Sequence, residues 1–230
     1  MNEDKDSPIN GQFPQALRKF LIEINGLYVA LPIIMKSLGE ENKNRTENLV
    51  KFLNEKGESI EEEELTDDNG DHTVKTRHIL SAEHFYGLRR LFTESAHVVA
   101  ASKIIPQSFL VALISQYDAL IGALIKAIFF SKPELLNASQ KQFSFLDLIA
   151  IGSIEEARDY LAEKEVESVL RESHIKHFDW LESKLKITLR KDLSVWPNFV
   201  ELTERRNLFV HTDGVISSQY LEVCRANNSL

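Results

Sequence analysis

The stretch SFLVALISQYDALIGALIKAIFF, residues Ser108–Phe130, decides the fold class of this chain. Its apolar residues cover most of the circumference of a helix, which is typical of a central, buried helix. A membrane span is the alternative, but Asp118 and Lys126 lie inside the stretch. Each of these charges would cost roughly 2.5–3.5 kcal/mol near the centre of a bilayer. We therefore expect the stretch to be the core helix of a soluble protein.

Helical spacing also dominates the rest of the chain, which has only nine glycines and six prolines. Gly26 and Pro32 are expected to bend or break a first helix. Ser81 is predicted to cap a helix that ends near Ile104, and Pro106 to begin the next one. Because no segment shows sustained alternation, we predict an all-α helical bundle with an additional N-terminal helical segment. The apolar stripe of the first helix consists of Leu17, Leu21, Ile24, Tyr28, Leu31, Met35 and Leu38.

Three further helices are predicted from capping residues and apolar spacing. The motif SIEE at 153–156 matches a capping box and opens the first of them. The second is a short amphipathic helix within His174–Ile187. Pro197 and Gly214 bracket the third, at roughly Trp196–Thr212. The residues expected to face inward on the last two are Phe178, Leu181 and Leu185, and Phe199, Leu202, Phe209 and Val210.

The negative charge is concentrated in one segment. The chain carries a net charge of −8, and the run ESIEEEELTDDNGD, Glu58–Asp71, contains eight acidic residues and no basic one. The remainder is therefore neutral, which excludes a large non-specific basic surface but permits a small basic cleft. We interpret the run as a solvated linker. It suggests a division into residues 1–72, an N-terminal helical extension with the acidic linker, and residues 73–230, a helical domain.

Composition also predicts compartment and cofactor use. The single cysteine, Cys224, cannot form an intrachain disulfide, and the N-terminal residues MNEDKDSPING lack the pattern of an export signal. A cytoplasmic protein is expected. The chain has no phosphate-binding glycine loop and no zinc-type cysteine pair, so neither a cofactor nor a metal is predicted. His174 and His177 with Asp179 could suggest a metal site, but no second ligand pair is present, and we interpret them as a solvated helix start.

The stretch ERRNLFVHTDGVISSQYL, Glu204–Leu221, is the strongest candidate for a functional site. At about 100° per residue, Asn207 and His211 stack on one flank of a helix, and Glu204 lies one turn before Asn207. Arg206 can reach the same flank. Histidine can transfer a proton near neutral pH, and arginine offers a planar set of donors that suits phosphate oxygens.

Spacing alone does not establish catalysis. A histidine in the last turn of a helix is stabilised by the helix dipole without any catalytic role. An arginine and a histidine separated by four to six residues also occur at Arg77–His84, Arg90–His97 and Arg171–His177, and Arg205 fits the spacing to His211 as well. Only the last match continues with asparagine after the arginine, an apolar trio, the histidine and then a glycine turn.

With that context, RNLFVHTDGVISSQYL resembles the HEPN superfamily, whose hallmark is an arginine and a histidine separated by four to six residues. The core stretch is similar to the long second helix of such domains, which often carries an acidic residue, here Asp118. Residues 143–187 resemble the middle section of bacterial HEPN proteins of toxin–antitoxin and anti-phage systems. The resemblance covers about Thr73–Leu230.

The resemblance implies a homodimer whose two motifs line a shared cleft, and metal-independent endoribonuclease chemistry that leaves 2′,3′-cyclic phosphate and 5′-hydroxyl ends. It implies that His211 transfers protons, Arg206 binds phosphate, Asn207 positions or polarises, and Asp118 orients Arg206. Arg205 stays a second candidate for the cation. RNA would be the partner, and an antitoxin or defence-system partner is possible in this family.

Two other interpretations remain open from the sequence. The chain could be a non-catalytic, all-α dimerisation module that binds RNA or a protein, since HEPN domains include such members. The N-terminal helices and the acidic run could also form a regulatory or antitoxin-binding arm.

Overall fold

The computed structural model describes residues 8–66, 72–138 and 144–229. The all-α prediction is confirmed. The elements in chain order are α1 (Pro8–Lys56), β1 (Glu58–Thr66), β2 (His72–Ile79), α2 (Ala82–Ser131), a 3₁₀ helix (Pro133–Ala138), α3 (Phe145–Ile151), α4 (Ile154–Leu170), α5 (His174–Leu185), α6 (Trp196–His211) and α7 (Ser218–Ala226).

The first two helices are much longer than predicted. Helix α1 continues through Gly26 and Pro32, and α2 continues through Pro106, so the predicted breaks at these residues are wrong. A proline removes only one intrahelical hydrogen bond, and packing of the flanking turns can outweigh that local cost. At Gly26, a Cβ would meet no atom within 4 Å, so no close neighbour requires a glycine at this position.

The acidic run that we interpreted as a linker contributes a strand. Strand β1 pairs antiparallel with β2, from Glu58 opposite Ile79 to Thr66 opposite His72. The register places Glu61 opposite Arg77 and Glu63 opposite Lys75. Residues 67–71 of the run lie outside the described residues.

Residue contacts divide the chain into two compact units, 29–106 and the combination of 1–28 with 107–230. In the first unit, the hairpin joins the second half of α1 to the first half of α2. The Phe52 ring lies against His84, with centroids 6.4 Å apart, and Arg45 forms an ion pair with Glu94. The less exposed residues recur every seven positions on both segments, as in an antiparallel coiled coil. They include Leu31, Leu38, Arg45 and Phe52 on α1, and His84, Leu91, Val98 and Ile105 on α2.

The core of the second unit is built around the C-terminal half of α2, as predicted. Ile125 is fully buried, and Ile121 and Phe129 lie on the same face. They pack against buried residues of the following elements: Leu136, Ala162, Val169 and Leu181. Gly122 allows α4 to approach closely, because a Cβ there would lie 3.2 Å from Leu170.

Two helices in the described part of the chain are long and apolar enough to cross a membrane. In α2 part of the apolar window is buried and supplies the core just described. In α1 none of the window is buried. Ile22 and Ile33, for example, are 66% and 64% exposed, so α1 presents an exposed apolar face.

The capping predictions for the last helices are confirmed. The Ser153 hydroxyl accepts a hydrogen bond from the Glu156 amide, and Pro197 lies in the first turn of α6. Gly214, at φ +81°, donates to the Leu208 carbonyl and ends the helix. Between α5 and α6, the Glu182 carboxylate holds the loop. It accepts from the Arg190 guanidinium and from the amides of Leu189 and Arg190, which together lower the pKa of Glu182 to about 2.

The buried face of α6 differs from the prediction. Leu202 and Val210 are 37% and 49% exposed, so they were wrongly placed in the core. The buried residues of α6 are Val200, Thr203, Glu204 and Leu208. The predicted face was chosen by hydrophobicity alone, whereas the structure turns a partly polar face inward. That rotation brings the polar residues of α6 to a pocket.

Candidate functional site

A cavity of about 490 Å³ lies in the second unit, where α2, α5, α6 and α7 meet. This volume is within the range of small-ligand sites. Its charged and polar lining residues are Asp118, Arg171, Glu172, Ser173, His174, Glu204, Arg206, Asn207, His211, Thr212, Ser217, Gln219 and Tyr220. Four predicted site residues, Arg206, Asn207, His211 and Asp118, are therefore brought to one cavity.

Arg206 is held by two side chains at this cavity. Its Nη2 donates to Oδ2 of Asp118 at 2.9 Å, and its Nη1 donates to Oδ1 of Asn207 at 3.1 Å. The guanidinium side chain is only 20% exposed. An arginine–carboxylate hydrogen bond between charged groups is stronger than a neutral one, so the guanidinium is fixed in direction as well as in place.

Arg205, the alternative cation, lies outside the cavity lining. Its Nε donates to Oε1 of Glu201 at 2.7 Å, and its side chain is 51% exposed. The same Oε1 accepts from the Tyr220 hydroxyl at 2.6 Å. The geometry thus assigns Arg205 to a contact between α6 and α7, and Arg206 to the cavity.

His174 belongs to the site, although we predicted a solvated helix start there. It is 6% exposed, and its Nε2 lies 3.0 Å from Oδ1 of Asp118. His177, one turn later, is 1% exposed. Burial and the nearby His174 lower the pKa of His177. The interpretation as a solvated helix start is therefore wrong for both histidines.

A signal for this burial was present in the sequence. His174 precedes Phe178 by four residues and Leu181 by seven, so it shares their helical stripe. We weighed its ability to bind metal but not its place in that stripe. Within the described residues, no group of three or more His, Cys, Asp or Glu side chains could hold a metal ion.

Glu204 is a buried carboxyl beside Asn207 and is 7% exposed. Burial raises the pKa of Glu204, while His174, the hydrogen bond with Asn207 and the charge of Arg206 oppose the rise. Asn207 therefore contacts both Glu204 and Arg206. The sequence placed Glu204 on the same flank as Asn207 but indicated neither its burial nor its contact with the amide.

His211 is the exposed residue among the predicted residues that line the cavity. It lies in the last turn of α6 and is exposed. Within the described residues, no hydrogen bond or ion pair is found for its ring. The Leu208 carbonyl accepts from Thr212 and Gly214, so the helix end is closed without the imidazole. The ring is thus available to an incoming molecule.

The arrangement combines a fixed guanidinium and an accessible imidazole on one wall of a cavity. A guanidinium can stabilise negative charge on phosphoryl oxygens, and an imidazole can accept or donate a proton at neutral pH. The acidic side chains nearby, Asp118 and Glu204, are each engaged by neighbouring residues.

Comparison with known proteins adds no relative: no family model, curated protein or solved structure matches the chain.

Proposed function

We propose that the chain is a metal-independent endoribonuclease of the HEPN type. The observation that supports this is the meeting of Arg206 and His211 at one cavity, with Arg206 fixed by Asp118. The motif residues were selected from a local pattern on α6. The resemblance that identifies this motif also predicts that Asp118, on α2, orients Arg206, and the Asp118 carboxylate accepts a hydrogen bond from the Arg206 guanidinium.

The proposed reaction uses protein side chains and groups of the RNA itself. The 2′-hydroxyl oxygen attacks the adjacent phosphorus and forms the cyclic phosphate, while the bond from phosphorus to the 5′-oxygen breaks. One proton leaves the 2′-hydroxyl, and one is added to the departing 5′-oxygen. His211 transfers a proton, Arg206 stabilises charge on the phosphoryl oxygens, and Asn207 holds the guanidinium in place.

A homodimer would complete the site. A single accessible imidazole cannot remove one proton and deliver the other in the same instant. A second His211 from a partner copy, placed across a shared cleft, supplies the second proton-transfer group. We therefore include a homodimer in the proposal, and light scattering tests it: a strict monomer that retains full activity would contradict the shared cleft.

The biological setting in this proposal is a cytoplasmic effector of the toxin or phage-defence type, with RNA as its substrate and an antitoxin or defence-system protein as a further partner. It rests on the resemblance of residues 143–187 and on the motif of α6. The proposal requires no cofactor, because every step uses side chains of the chain or groups of the substrate.

One observation favours the alternative of a non-catalytic RNA- or protein-binding module. Both terminal nitrogens of Arg206 already donate to protein groups, Asp118 and Asn207. A substrate phosphate would have to share or displace these contacts. The neutral charge outside the acidic run also provides no strong general attraction for RNA.

The test is cleavage of total RNA in excess EDTA by the wild type, His211→Ala, Arg206→Ala and Arg205→Ala. Removing a proton-transfer group costs about 10²–10⁴-fold in rate, and removing a charge-stabilising donor about 10²–10³-fold. Arg205→Ala is the matched control, since it removes the same charge one residue away, outside the cavity. We expect cyclic-phosphate ends from the wild type and from Arg205→Ala.

Circular dichroism should show the same helicity in all four proteins. A folded wild type that leaves RNA intact, and binds it as well as the variants do, would favour the binding module. Equal loss of activity in Arg205→Ala and Arg206→Ala would contradict the assignment of Arg206 to the cavity.

A further inference from the structure

We infer that His174 is a positioning residue of this site, which holds Asp118 and, through it, the Arg206 guanidinium. This inference rests on the proposed ribonuclease function for its effect on rate. The hydrogen-bonded arrangement of His174, Asp118 and Arg206 can also be tested by a measurement that does not depend on activity.

The Asp118 carboxylate is shared between two helices. Its Oδ1 lies 3.0 Å from Nε2 of His174 on α5, and its Oδ2 lies 2.9 Å from Nη2 of Arg206 on α6. Each oxygen thus has its own partner. A carboxylate held at both oxygens cannot rotate without breaking a charge-assisted hydrogen bond, so the contact to His174 determines the direction in which Asp118 meets Arg206.

The proton on His174 follows from this geometry. An ionised carboxylate can only accept hydrogen bonds, so Nε2 of His174 must carry a hydrogen in both the neutral and the charged ring. That nitrogen is therefore committed to Asp118 and cannot take a proton from substrate. His174 acts on the reaction through Asp118, whereas the exposed His211 can contact the substrate.

The ring of His174 is also immobilised by its surroundings. Its centroid lies 5.9 Å from that of Tyr117, 5.2 Å from that of His177 and 6.2 Å from that of Phe199. Ser173 caps α5 and accepts from the Lys176 amide, which places His174 at the first residue of the helix. A ring packed in this way keeps its donor directed at Asp118.

Loss of the His174 donor would change the orientation of Asp118 and Arg206 and would leave their charges in place. Without the donor at Oδ1, the carboxylate can rotate toward water, because the Asp118 side chain is 28% exposed. Arg206 then loses the fixed partner that sets the position of its guanidinium. Displacement of a charge-stabilising group by about 1 Å can cost roughly 10²-fold in rate.

The experiment compares His174→Phe, which fills the ring space but removes the donor, with His174→Gln, which offers an amide donor. The matched packing control is His177→Phe, which keeps an aromatic ring against His174 on the same helix and removes no hydrogen bond to Asp118. In single-turnover cleavage we expect a loss of roughly 10²-fold for His174→Phe, with RNA affinity changed much less. His174→Gln should restore part of the rate, and His177→Phe should stay near the wild-type rate.

A double-mutant cycle separates positioning from a general packing role. If His174 acts only through Asp118, adding His174→Phe to Asp118→Asn causes no further loss of rate. If the loss of rate in the double variant equals the product of the losses in the two single variants, the inference is overturned. It is also overturned if His177→Phe loses as much rate as His174→Phe, or if His174→Phe keeps the wild-type rate.

A second measurement is independent of activity. In ¹⁵N NMR of the imidazoles, the wild type should show a protonated Nε2 on His174, and the Arg206 guanidinium resonances should shift in His174→Phe but not in His177→Phe. If the wild type cleaves no RNA but these shifts are seen, the proposed function fails and the positioning contact stands. If they are absent, the inference fails whatever the activity.

Discussion

The hydroxyl of Tyr220 is the most informative single group to remove for stability. It donates to Oε1 of Glu201 at 2.6 Å and so ties α7 to α6 beside the candidate site. Tyr220 is 7% exposed and packs in a small cluster with Leu208 and Cys224. Tyr220→Phe keeps the ring in that cluster and removes only the hydrogen bond.

The expected loss follows from the partners of Glu201. A hydrogen bond to a charged group contributes about 1.5–3 kcal/mol. Glu201 keeps its bond from Arg205 in the variant, so its carboxylate is not left unpaired and the lower value applies. We expect Tyr220→Phe to lower the free energy of unfolding by about 1.5 kcal/mol at pH 7.5. For a chain of this size that corresponds to a decrease in Tm of about 3–6 °C.

The effect should also depend on pH in a defined direction. Burial, followed by the hydrogen bond to Glu201, raises the pKa of Tyr220 to about 12 from its ordinary value of 10. The folded state therefore favours the neutral phenol more than the unfolded state does. The stabilisation by Tyr220 is complete below pH 10 and is lost as the pH rises toward 12. The difference between wild type and variant should shrink over that window.

Urea unfolding followed by tryptophan fluorescence measures this effect. Trp180 and Trp196 both belong to the unit that contains Tyr220. Tyr86→Phe is the control, because Tyr86 is 76% exposed and its change should stay within about 0.5 kcal/mol of zero. Equal unfolding free energies for wild type and Tyr220→Phe at pH 7.5 would refute the reasoning.

Two further predictions concern the core and the buried carboxyl. Ile125→Ala should lower the free energy of unfolding by about 2–5 kcal/mol, because Ile125 is fully buried. Ile154→Ala is the control and should change the free energy little, because Ile154 is 81% exposed. Similar losses for the two variants in urea titrations would contradict the placement of the core. Glu204→Gln should flatten the pH dependence of stability. Because the pKa of Glu204 is raised above its ordinary value of 4.5, the folded state binds this proton more tightly than the unfolded state does. The resulting stabilisation is complete below pH 4.5 and is lost as the pH rises through the pKa of Glu204 in the folded state. Unfolding curves between pH 4 and pH 8 should therefore show the wild type losing stability relative to Glu204→Gln, and parallel curves would show that Glu204 is not penalised by burial.

Helices α5 and α6 could be predicted almost to the residue, whereas the extents of α1 and α2 could not, and α7 was not predicted as a helix. Caps and the proline and glycine that bracket α6 act through bonds to residues a few positions away, so a local pattern contains the needed information. Helix α1 continues through Pro32, although the local rule for proline predicts a break there. Contacts of this helix, such as the ion pair of Arg45 with Glu94, join residues far apart in the sequence, and no local pattern contains them.

The candidate site was likewise predictable in part from the sequence. The sequence by itself determined the all-α class, the bounds of α6 and the stacking of Asn207 and His211 on one flank, because helical geometry relates residues four apart in any context. Only the tertiary structure decided that Arg206 rather than Arg205 faces the cavity.

Only the tertiary structure, too, decided that His174 is buried on Asp118. The two contacts of Asp118 span 56 and 88 residues of sequence. The direction of a guanidinium or a carboxylate depends on where distant helices place its hydrogen-bond partners. A sequence pattern within a single helix therefore cannot predict these two contacts.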